Sequence, residues 1–237
     1  MSEVILKIEN LSAGYGDFRA VHDVSLEVIK GEIVSIIGSN GAGKSSLMKV
    51  VGGLVAPKSG KVFYKGADIT GWDPHKIVGL GISTVPEGGK VFGRMSVEEN
   101  LMMGSYPRRA RKHAPESLEK VYALFPMLKD KANDLSASLS GGQRQMVAIG
   151  RVLMSEPELI ILDEVSLGLA PTVIKDIYAT VRKINAGGIT IILVEQDVKR
   201  SLKTSSRAYV MLKGEITLSG VSQELDEEEV RKAYFGV

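Results

Sequence analysis

"EIVSIIGSNGAGKS", Glu32 to Ser45, is the stretch on which the reading of this chain turns. A β-branched run breaks at Gly38; after four intervening residues stand Gly43, Lys44 and Ser45. Then "KSSLMKVVGGL" sets Leu47, Val50, Val51 and Leu54 at helical spacing. Strand, glycine loop and helix together distinguish a phosphate-binding loop from an ordinary glycine turn before a helix. The glycines let consecutive backbone N–H groups face phosphate oxygens, and the helix N-terminus adds its positive end. Lys44 reaches the β and γ phosphates, and Ser45 can ligate Mg²⁺. Candidate nucleotide contacts are therefore Gly38, Ser39, Asn40, Gly41, Ala42, Gly43, Lys44, Ser45 and Ser46.

Working outward, three more segments read as buried strands of a parallel sheet: "GISTV" before Pro86, "LIILD" from Leu159 to Asp163, and "ITIILV" from Ile189 to Val194. Each stops at polar residues, namely Glu87, the pair Asp163 and Glu164, and the pair Glu195 and Gln196. In open α/β sheets ligands sit beyond the carboxyl ends of strands, so these stops and the glycine loop are expected to converge. "LIILDE" supplies what a nucleoside triphosphatase still lacks: Asp163 for the Mg²⁺ shell and Glu164 to orient or deprotonate water. The bland alternative is a solvated strand end with two acids.

Before the glycine loop and just after its helix, "VILKIENLSAGY", "VSLEVIKGEI" and "KVFYKGADI" are short alternating segments joined by Gly and Lys turns, which predicts an antiparallel patch. From about Arg94 to Glu156 the pattern turns helical, with apolar stripes in "SVEENLMMG", "SLEKVYALFPML" and "QRQMVAIGRVLM". The expected fold is α/β: a P-loop, RecA-like parallel-sheet core with an N-terminal antiparallel β subdomain and an inserted α-helical subdomain. One domain spans 1–237, with 1–93 and 157–237 forming the core and 94–156 the helical insert.

The 237 residues, 44% hydrophobic, suffice for a substantial core. A formal charge of +2 leaves no global footprint of a nucleic-acid binder, and the absence of Cys excludes disulfides and thiolate metal sites. "MSEVILKIEN" lacks the pattern of a secretory signal, and the longest apolar runs are too short to span a bilayer. An intracellular, soluble or peripheral protein is expected.

To this point a GTPase, a kinase or a motor fits equally well. "LSGGQ", Leu139 to Gln143, decides among them. Ser140, Gly141 and Gly142 open a helix with apolar positions at Met146, Val147, Ile149 and Leu153, so the turn presents amides and a hydroxyl at a positive helix end. One triphosphate is already largely occupied by the glycine loop, Lys44 and the metal, and this second anion-binding turn is read as serving another nucleotide. In the order glycine loop, "LSGGQ", "LIILDE", the chain resembles the ATP-binding subunits of ABC transporters over essentially its whole length. That resemblance implies head-to-tail pairing with a second such subunit, identical or different. ATP on the glycine loop of one chain is then covered by Ser140, Gly141, Gly142 and Gln143 of the other.

The same resemblance carries three further positions. Tyr15 stands where the family stacks an aromatic on adenine. Glu87 stands where most members have a Gln that contacts Mg²⁺ and senses the membrane partner; a carboxylate still offers the metal an oxygen but adds negative charge near a triphosphate. Gln196 stands where most carry a His on the γ-phosphate, and it can donate an N–H but hold no proton's charge near neutral pH. "VPEGGKVFGRMSVEENLMMG", "SLGLAP" and "LVEQD" look like one of the two ATP-binding subunits of branched-chain amino-acid importers. This implies ATP and Mg²⁺, two transmembrane permease subunits, an external solute-binding protein acting indirectly, and a place on the inner face of the cell membrane. Val165 departs from that subfamily, where Pro is usual, and a looser turn at Glu164 with slower hydrolysis is expected. "RRARKH", Arg108 to His113, reads as a solvated loop, and "DEEE", Asp226 to Glu229, as the start of a final helix. The competing readings are a soluble ABC-type ATPase without membrane partners, an importer subunit for urea or amides, and a nonhydrolysing ATP-binding protein.

Overall fold

The computed structural model describes residues 3–236. Ten strands fall into two sheets. β1 (Val4–Tyr15), β2 (Phe18–Ile29), β4 (Pro57–Tyr64) and β5 (Ala67–Asp68) form an antiparallel sheet in the order β2-β1-β4-β5. β3 (Ile33–Ile37), β6 (Ile82–Val85), β7 (Leu159–Asp163), β8 (Thr190–Glu195), β9 (Arg207–Leu212) and β10 (Glu215–Val221) form the second, in the order β10-β9-β3-β8-β7-β6. The five strands from β6 to β9 run parallel, and β10 closes the edge antiparallel to β9.

The central strands β3, β7 and β8 are buried at every position and mostly apolar, because both faces of this sheet are covered. The alternation sends successive residues into different cores. Val34 and Ile36 of β3, Leu159 and Ile161 of β7, and Ile192 and Val194 of β8 pack toward the antiparallel sheet, with Leu47 and Val51 of the first helix. Ile33, Ile160, Leu162, Ile191 and Leu193 pack toward the opposite side, with Val147, Ile149 and Val181. Each of these side chains is essentially buried, a contribution of about 1.5–3 kcal/mol apiece. The double cover holds the carboxyl ends of β3, β7 and β8 rigidly side by side.

The helices are α1 (Lys44–Val51), α2 (Pro74–Leu80), α3 (Val97–Met102), α4 (Arg108–Arg111), α5 (Ala114–Leu124), α6 (Pro126–Asp130), α7 (Gly141–Leu153), α8 (Pro171–Ala186), α9 (Val198–Thr204) and α10 (Glu227–Phe235). No described helix is long and apolar enough to cross a membrane. α3 to α7 occupy the stretch read as helical, and the acids of Glu227 to Glu229 lie in the first turn of α10 as expected.

Several boundaries differ from the sequence reading. Leu54 lies outside α1 and is exposed, because Gly52 and Gly53 end the helix and Gly53 is left-handed. "VSLEVIKGEI" is not one strand: β2 ends at Ile29, and the turn at Lys30–Gly31 hands the chain to β3 of the other sheet. The stripe of "SLEKVYALFPML" breaks at Phe125 and restarts at Pro126, which cannot continue the α5 hydrogen-bond ladder. "RRARKH" is solvated only in part: Arg108, Arg111, Lys112 and His113 are exposed, but Arg108–Arg111 form a helical turn. Its Arg109 lies in α4 and donates to the carbonyls of Val78 and Gly79 at the end of α2 and of Ser155 and Glu156 beyond α7, tying the helical stretch to the core.

Candidate active site

The loop between β3 and α1 is shaped by close backbone approach. Gly43 has φ of 100°, and a Cβ there would lie 2.4 Å from the carbonyl oxygen of Ala20; one on Gly38 would lie 2.4 Å from that of Met211. Only glycine fits either place. Gly43 caps α1 without a side-chain hydrogen bond and the first turn holds no acid, so its leading amides remain open to an anion.

Beneath the loop, Lys44 is buried, its ammonium donating to the carbonyls of Gly38 (2.8 Å) and Ser39 (3.1 Å) and lying 3.2 Å from Glu164 Oε1. Ser45 Oγ donates to Asp163 Oδ1 at 2.9 Å. Gln196 Nε2 donates to Glu164 Oε2 at 2.6 Å, so the carboxylate is gripped from both sides. Burial raises Asp163 above the usual carboxylate range; the charges of Glu164 and Glu87 push the same way, against the Ser45 hydrogen bond and Lys44. Three acids thus face one ammonium, an excess of negative charge that calls for a cation.

A cleft of about 430 Å³ opens over this arrangement, lined by Tyr15, Asn40, Gly41, Ala42, Gly43, Lys44, Ser45, Ser46, Glu87 and Glu164. Phe18, Ala20 and Leu167 line it too, and the sequence reading missed them. Phe18 was within reach of that reading: it pairs with Tyr15 across the "GD" turn, and both rings are exposed. Ser140, Gly141, Gly142 and Gln143 do not line the cleft. They open α7 with a reciprocal cap, in which Ser140 Oγ accepts from the Gln143 amide (3.3 Å) and Gln143 Oε1 from the Ser140 amide (2.9 Å). The turn read as a second anion site is formed as a capped helix start, and it does not line its own chain's cleft.

The sequence profile described as ABC transporter matches residues 21–166. The chain belongs to the ABC transporter family. It is 42% identical to the high-affinity branched-chain amino acid transport ATP-binding protein BraG of Pseudomonas aeruginosa, over 98% of this chain and 100% of the relative. It is 33% identical to the lipopolysaccharide export system ATP-binding protein LptB of Haemophilus influenzae, over 98% and 97%. A solved ATP-binding cassette of an ABC transporter in its ADP conformation superposes with a TM-score of 0.84 at 31% identity, covering 97% of this chain and 94% of that one. As an ABC cassette the chain binds nucleotide and hydrolyses ATP.

Val165 is 1% exposed and packed in the core, and Glu164 beside it is held by Lys44 and Gln196. One expectation for this ABC cassette needs correction. Glu195 does not join the other strand ends at the cleft. It is 3% exposed and accepts hydrogen bonds from Tyr178 (2.7 Å) and Ser166 (3.0 Å), and burial raises it above the usual carboxylate range.

Proposed function

We propose that this chain is an ATP-hydrolysing subunit of an importer for branched-chain amino acids, bound at the inner face of the cell membrane. The observation that carries this reading is a cleft complete on one side only. Glycine loop, Lys44, Ser45, Asp163 and Glu164 converge, while the chain's own Ser140 turn stays outside. In the proposed working state a second ATP-binding subunit, identical or different, offers its Ser140-type turn to the nucleotide, and this chain's turn does the same in return.

The residue roles are part of the proposal. Backbone amides from Gly38 to Ser46 and Lys44 hold the phosphates, and the exposed Tyr15 stacks on the base with Phe18 beside it. Among the described residues no group of three or more His, Cys, Asp or Glu could hold a metal alone. That suits Mg²⁺, which takes one or two protein oxygens and completes its shell with phosphates and water. Ser45 and Asp163 would hold it, with Glu87 at the edge of the cleft offering a further oxygen. When bound, Mg²⁺ neutralises charge on the phosphates. Glu164 aligns and deprotonates the attacking water, and Gln196 fixes the carboxylate and donates toward the γ-phosphate.

The helical stretch 94–156 is the proposed second lobe. Between it and the core runs a groove of about 300 Å³ lined by Val78, Thr84, Phe92, Met103, Tyr106 and Val152, with Phe92, Met103 and Tyr106 exposed. Phe92 on its wall stands five residues beyond Glu87 in the chain, and the groove is the proposed seat of the two permease subunits. A solute-binding protein outside the membrane acts through them. The branched-chain cargo rests on the 42% identity to BraG, well above the 33% to LptB.

Purifying the native complex from membranes tests this. Polytopic subunits should copurify, and ATP turnover in reconstituted vesicles should rise several-fold with leucine, isoleucine or valine and the binding protein. A chain recovered without membrane subunits contradicts the transport reading; stimulation by urea or an amide alone overturns the cargo.

A further inference from the structure

The Glu195 carboxylate is the one buried acid next to the site for which the proposed chemistry has no use. We propose that Glu195 is a positioning residue, holding the Glu164 carboxylate toward the nucleotide cleft through Ser166 on one side and Gln196 on the other. The inference rests on the reading of Glu164 as the group that activates water.

The argument is one of connectivity. Starting at Glu164, the chain runs through Val165 to Ser166, whose hydroxyl donates to Glu195 Oε2 at 3.0 Å. Glu195 is followed directly by Gln196, whose amide nitrogen returns to Glu164 Oε2 at 2.6 Å. The Glu164 amide donates to the carbonyl of Val194 at 2.9 Å, bracing the ring from within. Two strand ends are thereby locked into a closed circuit, and the circuit contains the reacting carboxylate.

Such a lock has something to hold. Glu164 has φ of 47°, in the left-handed region that a residue with a Cβ keeps only when its surroundings impose it. The outer side of the lock is also fixed. Tyr178 donates to Glu195 Oε1 at 2.7 Å, and the Arg200 guanidinium lies 5.5 Å from the centre of the Tyr178 ring. Arg200 pairs in turn with Asp197 at 3.1 Å. A buried acid is more costly than an apolar side chain of equal size, so mere packing between β8 and α8 gives no reason for one here. Two acceptor oxygens, one for each hydroxyl, give that reason.

The test uses the intact transporter with Glu195→Gln, Ser166→Ala and Tyr178→Phe. Glu195→Gln should lower kcat about tenfold, with the KM for MgATP and the affinity for MgADP within about twofold, because a misaimed carboxylate loses orientation and not binding. Ser166→Ala, a small change that leaves the core filled, should reproduce most of that loss. Tyr178→Phe, acting on the Glu195 oxygen that Ser166 does not use, should cost kcat less while lowering the melting temperature. Combined with Gln196→Ala, Glu195→Gln should cost less than the product of the two single effects, since both act through one carboxylate. If Glu164→Gln is inactive while Glu195→Gln and Ser166→Ala turn over at the parent rate, the Glu195 proposal fails alone. Full multiplicativity with Gln196→Ala, or a fall in melting temperature with kcat intact, also overturns it. If Glu164→Gln itself turns over at the parent rate, both this proposal and the reading of Glu164 fall.

Discussion

Replacing Glu164 with Gln should reduce ATP turnover by about 10²–10⁴-fold, the range expected when a general base is removed. MgATP binding should persist or tighten. The substitution keeps the volume of a side chain that is 7% exposed, and the new amide oxygen can still accept from Gln196 Nε2. It removes one negative charge from a cleft already holding Asp163 and Glu87 and releases Lys44 from its 3.2 Å contact, which favours the triphosphate. Single-turnover hydrolysis and equilibrium nucleotide binding separate the two effects. Unchanged turnover would show that another group activates water, and lost binding would show that Glu164 is needed to hold the site together.

The second large effect is expected at Lys44, and it falls on binding. Lys44→Ala removes the one ammonium facing three carboxylates, and with it a charge-assisted contact to phosphate of about 1.5–3 kcal/mol. Affinity for MgATP should fall roughly tenfold to a hundredfold. AMP, which lacks the β and γ phosphates, should be affected less. Isothermal titration with ATP, ADP and AMP checks the order; equal losses for all three nucleotides would mean that the loop had collapsed and not that a phosphate contact was lost.

How much of this was legible in the sequence varied with the physics involved. The glycine loop was readable because a close backbone approach tolerates one residue type, and Gly38 and Gly43 meet carbonyl oxygens at 2.4 Å. β3, β7 and β8 were readable because burial on both faces writes a nearly continuous apolar run, interrupted in β3 only by Ser35. β9 and β10 escaped notice. β10 alternates at the sheet edge, and nothing local to "RAYVML" announces that it completes a parallel sheet by lying beside β3. Glu195 was read as another strand-end acid beside Gln196. Alternation along β8 puts Glu195 on the side of Ile191 and Leu193, but that this side holds Ser166 and Tyr178 and not the cleft is a tertiary fact. The same holds for Arg109, whose four carbonyl partners come from two distant segments. Lys44, Ser45, Asp163, Glu164 and Gln196, separated by up to 152 positions, do meet as one cluster (196 − 44).

The measurement that bears most directly on the account is the mass of the Glu164→Gln chain in solution, by small-angle scattering and light scattering, with and without saturating MgATP. The account predicts a monomer without nucleotide. With MgATP it predicts a compact pair, formed with itself or with the second ATP-binding subunit of its complex, and dispersed again when Gly142 is replaced by a bulky residue. A chain that binds MgATP yet stays monomeric, alone and beside that second subunit, would contradict the claim that the nucleotide site is completed by two chains.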